Sequence, residues 1–181
     1  MTSAQIATLV GCTVLVFWAV GAYNRLIALR DNIAKAFAPV DAQVQHRHEL
    51  LMQWAMGLQS MLDQTPALHE DVLLACAQLQ SACTGLRSRP SAGGAANALR
   101  LAEEALMAAR QRLQAELPAR QQRLSGLEIE IHTEQLAAAD NTLAFARNQF
   151  NAATKTYNEA IRQFPTRLVA TVFGFQAAGT L

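Results

Sequence analysis

The sequence predicts an all-α fold: an N-terminal transmembrane helix continuing into an elongated antiparallel four-helix bundle, with two long and two short helices. Three observations predict it. Apolar residues make up 51% of the chain but aromatics only 6%, and such an Ala-, Leu- and Gln-rich composition suits helices better than strands. Apolar positions recur in steps of three and four along most of the length, the period of one buried helix face. No alternating, strand-like stretch appears anywhere.

Residues 1–24 form the first unit, a short tail and a membrane span. No charged side chain occurs from Met1 to Asn24, and Ile6 to Ala22 is almost wholly apolar. With its flanks the run reaches about 20 residues, enough for a helix to cross ~30 Å of hydrocarbon. Trp18 and Tyr23 stand near its end, where amphipathic rings favour the interface. No Lys or Arg precedes the run, which argues for an anchor over a cleaved signal peptide. Leu9-Val10-Gly11-Cys12 resembles a lipidation box, but the apolar run continues well past the cysteine. Arg25, Arg30 and Lys35 follow the span against Asp31 alone. The positive-inside rule then predicts a single-pass protein of the bacterial inner (cytoplasmic) membrane, N-terminus out and bundle in the cytoplasm.

Residues 25–165 form the bundle. The first stripe runs Leu26, Leu29, Ile33, Phe37, Val40, Val44, Leu51 and on to Leu62. It keeps its phase across Pro39, which favours a kinked but unbroken helix over a restart at the proline. Asp63-Gln64-Thr65-Pro66 reads as a stop and restart. The second stripe is Leu68, Val72, Cys76, Leu79, Cys83 and Leu86, closed by the loop Arg87 to Gly94. The third is Leu99, Ala102, Leu106, Ala109, Leu113 and Leu117, ended by Pro118. The fourth helix starts near Ala119 and continues through Leu143, Phe150, Tyr157 and Ile161 to Pro165, with an Ala-rich, weakly patterned centre. Residues 166–181 are an apolar, nearly uncharged tail.

Helix lengths carry a further expectation. The first bundle helix and the fourth are each about 40 residues or ~60 Å, and the middle two only about 20 to 25 residues or ~30 to 37 Å. The middle hairpin should therefore cover only the distal half, leaving a membrane-proximal stalk of two helices. Leu29, Ile33, Phe150 and Tyr157 would line an open apolar seam there, a place for a protein partner or a second copy. Trp18, Tyr23, Arg25, Arg30, Phe173 and Phe175 are the expected membrane-interface residues. The tail either dips into the interface or packs on the uncovered stalk.

Several function classes find no support. A net charge of +1 lacks the basic excess of a nucleic-acid binder. Cys12, Cys76 and Cys83 are too few and scattered for a disulfide framework. No Glu-x-x-His, P-loop or Cys-x-x-Cys occurs. His46 and His48 point to different helix faces. No catalytic residue, cofactor or metal site is predicted, and the chain is not expected to be an enzyme.

Two blocks carry a resemblance. AYNRLIALRDNIAKAFAPVDAQVQHRHEL, Ala22 to Leu50, and NTLAFARNQFNAATKTYNEAIRQFPTRLVATVFGF, Asn141 to Phe175, together resemble the bacterial LemA family. The resemblance implies a membrane-anchored bundle of long helices and no agreed biochemical activity. Pro39 and His46-Arg47-His48 depart from the family pattern. The repeated Tyr-Asn, at Tyr23-Asn24 and Tyr157-Asn158, falls at the two helix ends expected near the bilayer. The function classes that follow are a non-enzymatic helical scaffold or adaptor, and a lipid-interacting protein working through its basic membrane end. Arg25, Arg30, Lys35, Lys155, Arg162 and Arg167 outnumber Asp31 and Glu159 there, which suits anionic headgroups. The expected partners are the lipid bilayer and a protein partner or second copy, with no nucleic acid.

Overall fold

The structure, a computed structural model, describes residues 2–62, 66–116 and 126–181, with side-chain surroundings outside 55–66, 68–69 and 116–133. The described residues are helical in five segments: α1 (Ser3–Leu62), α2 (Pro66–Ser88), α3 (Gly93–Glu116), α4 (Gly126–Arg162) and α5 (Thr166–Val172). The expected stop at Asp63 to Thr65 and the Leu117-Pro118 end of the third helix lie outside the described residues.

α1 is one continuous helix of 60 residues with Pro39 inside it. Pro39 is exposed, so its ring and the backbone bond it removes face water. From Ile33 onward the buried line of α1 runs Phe37, Val40, Val44, Arg47, Leu51 and Trp54, alternating steps of four and three as in a coiled-coil seam, with Leu50 buried beside it. On α4 the matching line is Leu136, Asp140, Leu143, Arg147, Phe150, Thr154, Tyr157 and Ile161. The two lines meet with opposed direction. Phe37 stacks edge-on against Phe150 at 6.0 Å, and Arg47 meets Asp140 at 3.1 Å. Ten residues up α1 thus correspond to ten residues down α4.

α2 packs against α3 and against α1. Arg87, at the last turn of α2, reaches Asp41 of α1 with a 2.7 Å ion pair, which places the top of this hairpin beside the middle of α1. The short second and third helices therefore stop well below the level of Leu26, as their lengths predict. Full burial of each large side chain in the resulting core, such as Trp54 or Leu79, contributes ~1.5–3 kcal/mol.

The upper part of α1 and α4 is not left open. α5 packs on both helices, and the chain then turns back along α4. The turn is a helix-ending motif. Gly174 takes φ +69°, its amide donates to the Thr171 carbonyl (3.4 Å), and the Phe175 amide donates to the Ala170 carbonyl (2.9 Å). That paired bonding requires a left-handed residue, which glycine supplies without a Cβ clash.

Candidate functional site

The end of the molecule where the apolar run of α1 stops and α5 packs collects most of the residues singled out from the sequence. Beyond Gly174, residues 175–181 are extended and act as a strap on α4. The Tyr157 hydroxyl donates to the Gln176 carbonyl at 2.9 Å. Asn158 grips Ala178 at two points, accepting from its amide at 2.8 Å and donating to its carbonyl at 2.9 Å. Asn151 grips Leu181 the same way, at 2.8 and 2.7 Å. The spacing follows from geometry. Seven helical residues advance ~10.5 Å, and three extended residues advance ~10 Å, so two asparagines two turns apart meet residues 178 and 181 in register. Burial raises the Tyr157 hydroxyl above its ordinary value, with Arg30 drawing it the other way. It therefore remains a donor at neutral pH.

The strap also touches α3. A Cβ on Gly179 would lie 2.8 Å from Gly93 Cα and 2.8 Å from Ala96 Cβ. Only glycine lets the strap lie that close to the start of α3.

The expected open seam is thereby corrected. Ile33, Phe150 and Tyr157 are fully buried and Leu29 is half-buried. The four long and short helices by themselves would leave that space open. A short helix and an extended strap, both from the C-terminal tail, fill the space that the α2–α3 hairpin does not reach. Tyr157 and Asn158 hold that strap.

The expected interface residues fall together. Tyr23 packs against Phe173 at 4.9 Å and Phe175 at 5.7 Å, so the end of the apolar run and the end of α5 share one level. Arg25 and Arg30 are exposed and Trp18 lies one turn and a half above Tyr23. α5 buries Thr166, Val169 and Ala170. Its other face is apolar too: Leu168, Val172 and Phe173 are exposed, Val172 by 78%, and Phe164 just before the helix by 82%. Of the two expectations for the tail, packing on the uncovered helices is observed. One face packs on the helices, and the other presents apolar side chains outward. Above it, Ile6, Leu9, Val14, Leu15, Phe17 and Val20 are exposed, and α1 contains a segment long and apolar enough to cross a membrane.

The distal body is held by a charge network absent from the sequence expectations. Arg47 (4% exposed) bonds Glu103 (6% exposed) at 2.5 Å and Asp140 at 3.1 Å. Glu103 also takes Arg147 at 2.7 Å, and Asp140 takes Arg110 at 2.9 Å. The chain Arg110–Asp140–Arg47–Glu103–Arg147 ties α1, α3 and α4 together. Burial works against the charge on Arg47, but Glu103 and Asp140 outweigh it and hold the guanidinium above its ordinary value. The signal was present as a gap: between Val44 and Leu51 the stripe has no apolar member, and Arg47 stands at the missing step. Buried nearby, Cys83 is pushed up to about 12 by desolvation, then by Asp41 and Glu103. Burial raises Cys76 as well. Both are inert thiols.

His46 is exposed and His48 half-buried against a polar cleft between α1 and α2. The side chains of His69 and His132 lie outside the described residues.

The fold and this end together define a class: an all-helical chain with one membrane-length N-terminal helix and a tail folded back beside it. A family model for the LemA family matches residues 36–181, and the protein belongs to that family. The match includes α5, the strap and both asparagines, whereas the apolar run and Tyr23-Asn24 precede it. Comparison with curated protein sequences yields no match.

Proposed function

We propose that this LemA-family protein is a non-enzymatic, membrane-anchored helical scaffold, attached to the bilayer at two points. α1 crosses the inner membrane over residues 6–22, N-terminus out, and its cytoplasmic part joins α2, α3 and α4 in an antiparallel four-helix bundle. α5 lies in the cytoplasmic interface beside it. The observation that carries this reading is the outward apolar face Phe164, Leu168, Val172 and Phe173, level with Tyr23 where the span ends. An exposed apolar row beside a membrane exit is favoured at the headgroup–acyl boundary and costly in water. Two attachments orient a rigid rod, whereas one span would let it swivel. The surface left for partners is then the distal body, where Leu74, Leu101, Met107 and Phe145 are exposed, and not the filled seam.

The test places a fluorophore on Val172→Cys in a Cys12→Ala background of the full chain in bilayers. Cys76 and Cys83 are buried and stay unlabelled. Quenching by brominated acyl chains is expected; a label seen only by aqueous quenchers overturns the second attachment. Crosslinking in native membranes from Phe145 tests the scaffold, and products confined to lipid or to the chain itself count against it. The alternative weighting, a lipid-organising protein, is favoured by one observation: among the described residues, the cations at this end have no carboxylate partners.

A further inference from the structure

Apart from Arg89, an exposed side chain in the turn between α2 and α3 with no ion pair among the described residues, the cationic side chains described divide by position. In the distal body Arg47, Arg87, Arg100, Arg110, Arg112 and Arg147 each hold a carboxylate. Among the described residues, Arg25, Arg30, Lys35, Lys155, Arg162 and Arg167 at the membrane end hold none, although Asp31 and Glu159 share that end. Charges kept free of internal partners in one place are available to an external anion.

Two of them flank a cavity. Arg162, at the last turn of α4, and Arg167, on α5, line a cleft of about 460 Å³ with Ile161, Ala170, Thr171 and Phe175. Three of its lining residues are apolar and three are polar: the two arginines and Thr171, whose hydroxyl donates to the Arg167 carbonyl. Beside it stands the exposed row Leu168, Val172 and Phe173. An anionic head on the arginines and an acyl chain along the row would satisfy both features at once. Arginine suits phosphate in particular, because its planar fork donates two parallel hydrogen bonds.

We propose that the cleft between the end of α4 and α5 binds the phosphate of one anionic phospholipid, with Arg162 and Arg167 as the gripping side chains. The proposal rests on the seating of α5 in the interface. It adds a defined site of chemical selectivity to what would otherwise be diffuse attraction to a negative leaflet.

The experiment uses the full chain in nanodiscs of phosphatidylcholine containing one-fifth phosphatidylglycerol, released for native mass spectrometry. One phosphatidylglycerol is expected to be retained over phosphatidylcholine. Arg162→Gln with Arg167→Gln should reduce that preference on the order of tenfold. Arg25→Gln with Arg30→Gln removes the same charge from the same end and should leave it nearly intact. Equal losses in the two double variants, or no preference in the unmodified chain, overturn the site. The Val172→Cys quenching signal, read in the same nanodiscs, separates the two levels. A quenched label without selective retention overturns the site alone, and an unquenched label overturns the site and the seating together.

Discussion

Arg47 and Arg167 are the same residue type in opposite circumstances, and the two ends of the molecule differ as they do. Around Arg47 every arginine is paired, the core line carries charges, and three helices are tied by one network. Around Arg167 the cations hold no carboxylate among the described residues, and apolar side chains face outward instead. A water-exposed body buries its apolar surface and satisfies its charges internally. The other end leaves both on offer, as the proposed seating in a bilayer requires. Under that proposal the contrast teaches that the two ends answer to different solvents.

The comparison breaks most readily at Arg47. Arg47→Ala leaves buried Glu103 with Arg147 alone and half-buried Asp140 with Arg110 alone, and a loss of ~3 kcal/mol, the low end for a broken buried pair, is expected. Arg167→Ala should shift stability by no more than ~0.5 kcal/mol. Denaturant titration of the full chain in detergent measures both, and similar losses would erase the distinction.

The strap comes next. Gly179→Val drives a branched side chain against Gly93 and Ala96, and overpacking of this kind costs ~1–3 kcal/mol. Hydrogen exchange should show the amides of Ala178 and Leu181 losing protection while α1 below Phe37 keeps its own. Asn158→Ala removes one of the two grips, for ~1–2 kcal/mol, with exchange rising at Ala178 before Leu181. Exchange unchanged in either variant would mean that apolar packing alone holds the strap.

Smaller effects sharpen the picture. The Cys83 thiol holds its proton more tightly in the folded state, at about 12 against an ordinary 9.0. Its contribution is therefore complete below pH 9 and is lost as pH rises from 9 toward 12, by at most ~1.4 kcal/mol per pH unit. Alkylation of Cys83 at pH 8 should accordingly wait for unfolding. A fast native reaction would show the body to be wetter than its burial implies. Val172→Ser, smallest of all, should leave detergent stability within ~0.5 kcal/mol. It should nevertheless weaken quenching of a label at Leu168→Cys by acyl-chain quenchers, because only the bilayer reads that face.

How far the sequence reading reached is clear residue by residue. The stripe from Leu26 to Val44 and the hairpin of 23 and 24 residues were legible, because a period and a length are local properties. The network was not, because Arg47, Glu103, Asp140 and Arg147 lie up to a hundred residues apart and look like ordinary surface charges in one dimension. Their only trace was the missing apolar step at Arg47 in the first stripe. The strap was hidden for another reason. Its grip consists of side-chain amides on backbone groups, so Ala178 and Leu181 contribute no recognisable side-chain pattern.

By itself the sequence determined the all-helical class, the membrane-length run before Tyr23, the unbroken phase across Pro39 and the mismatch between long and short helices. Each follows from composition or from the 3.6-residue period, which any short window already contains. The tertiary structure decided what fills the space that the mismatch creates. An apolar groove of known length admits several occupants. Only the left-handed turn at Gly174, the two-turn spacing of Asn151 and Asn158 and the bare backbone of Gly179 in combination select the chain's own tail.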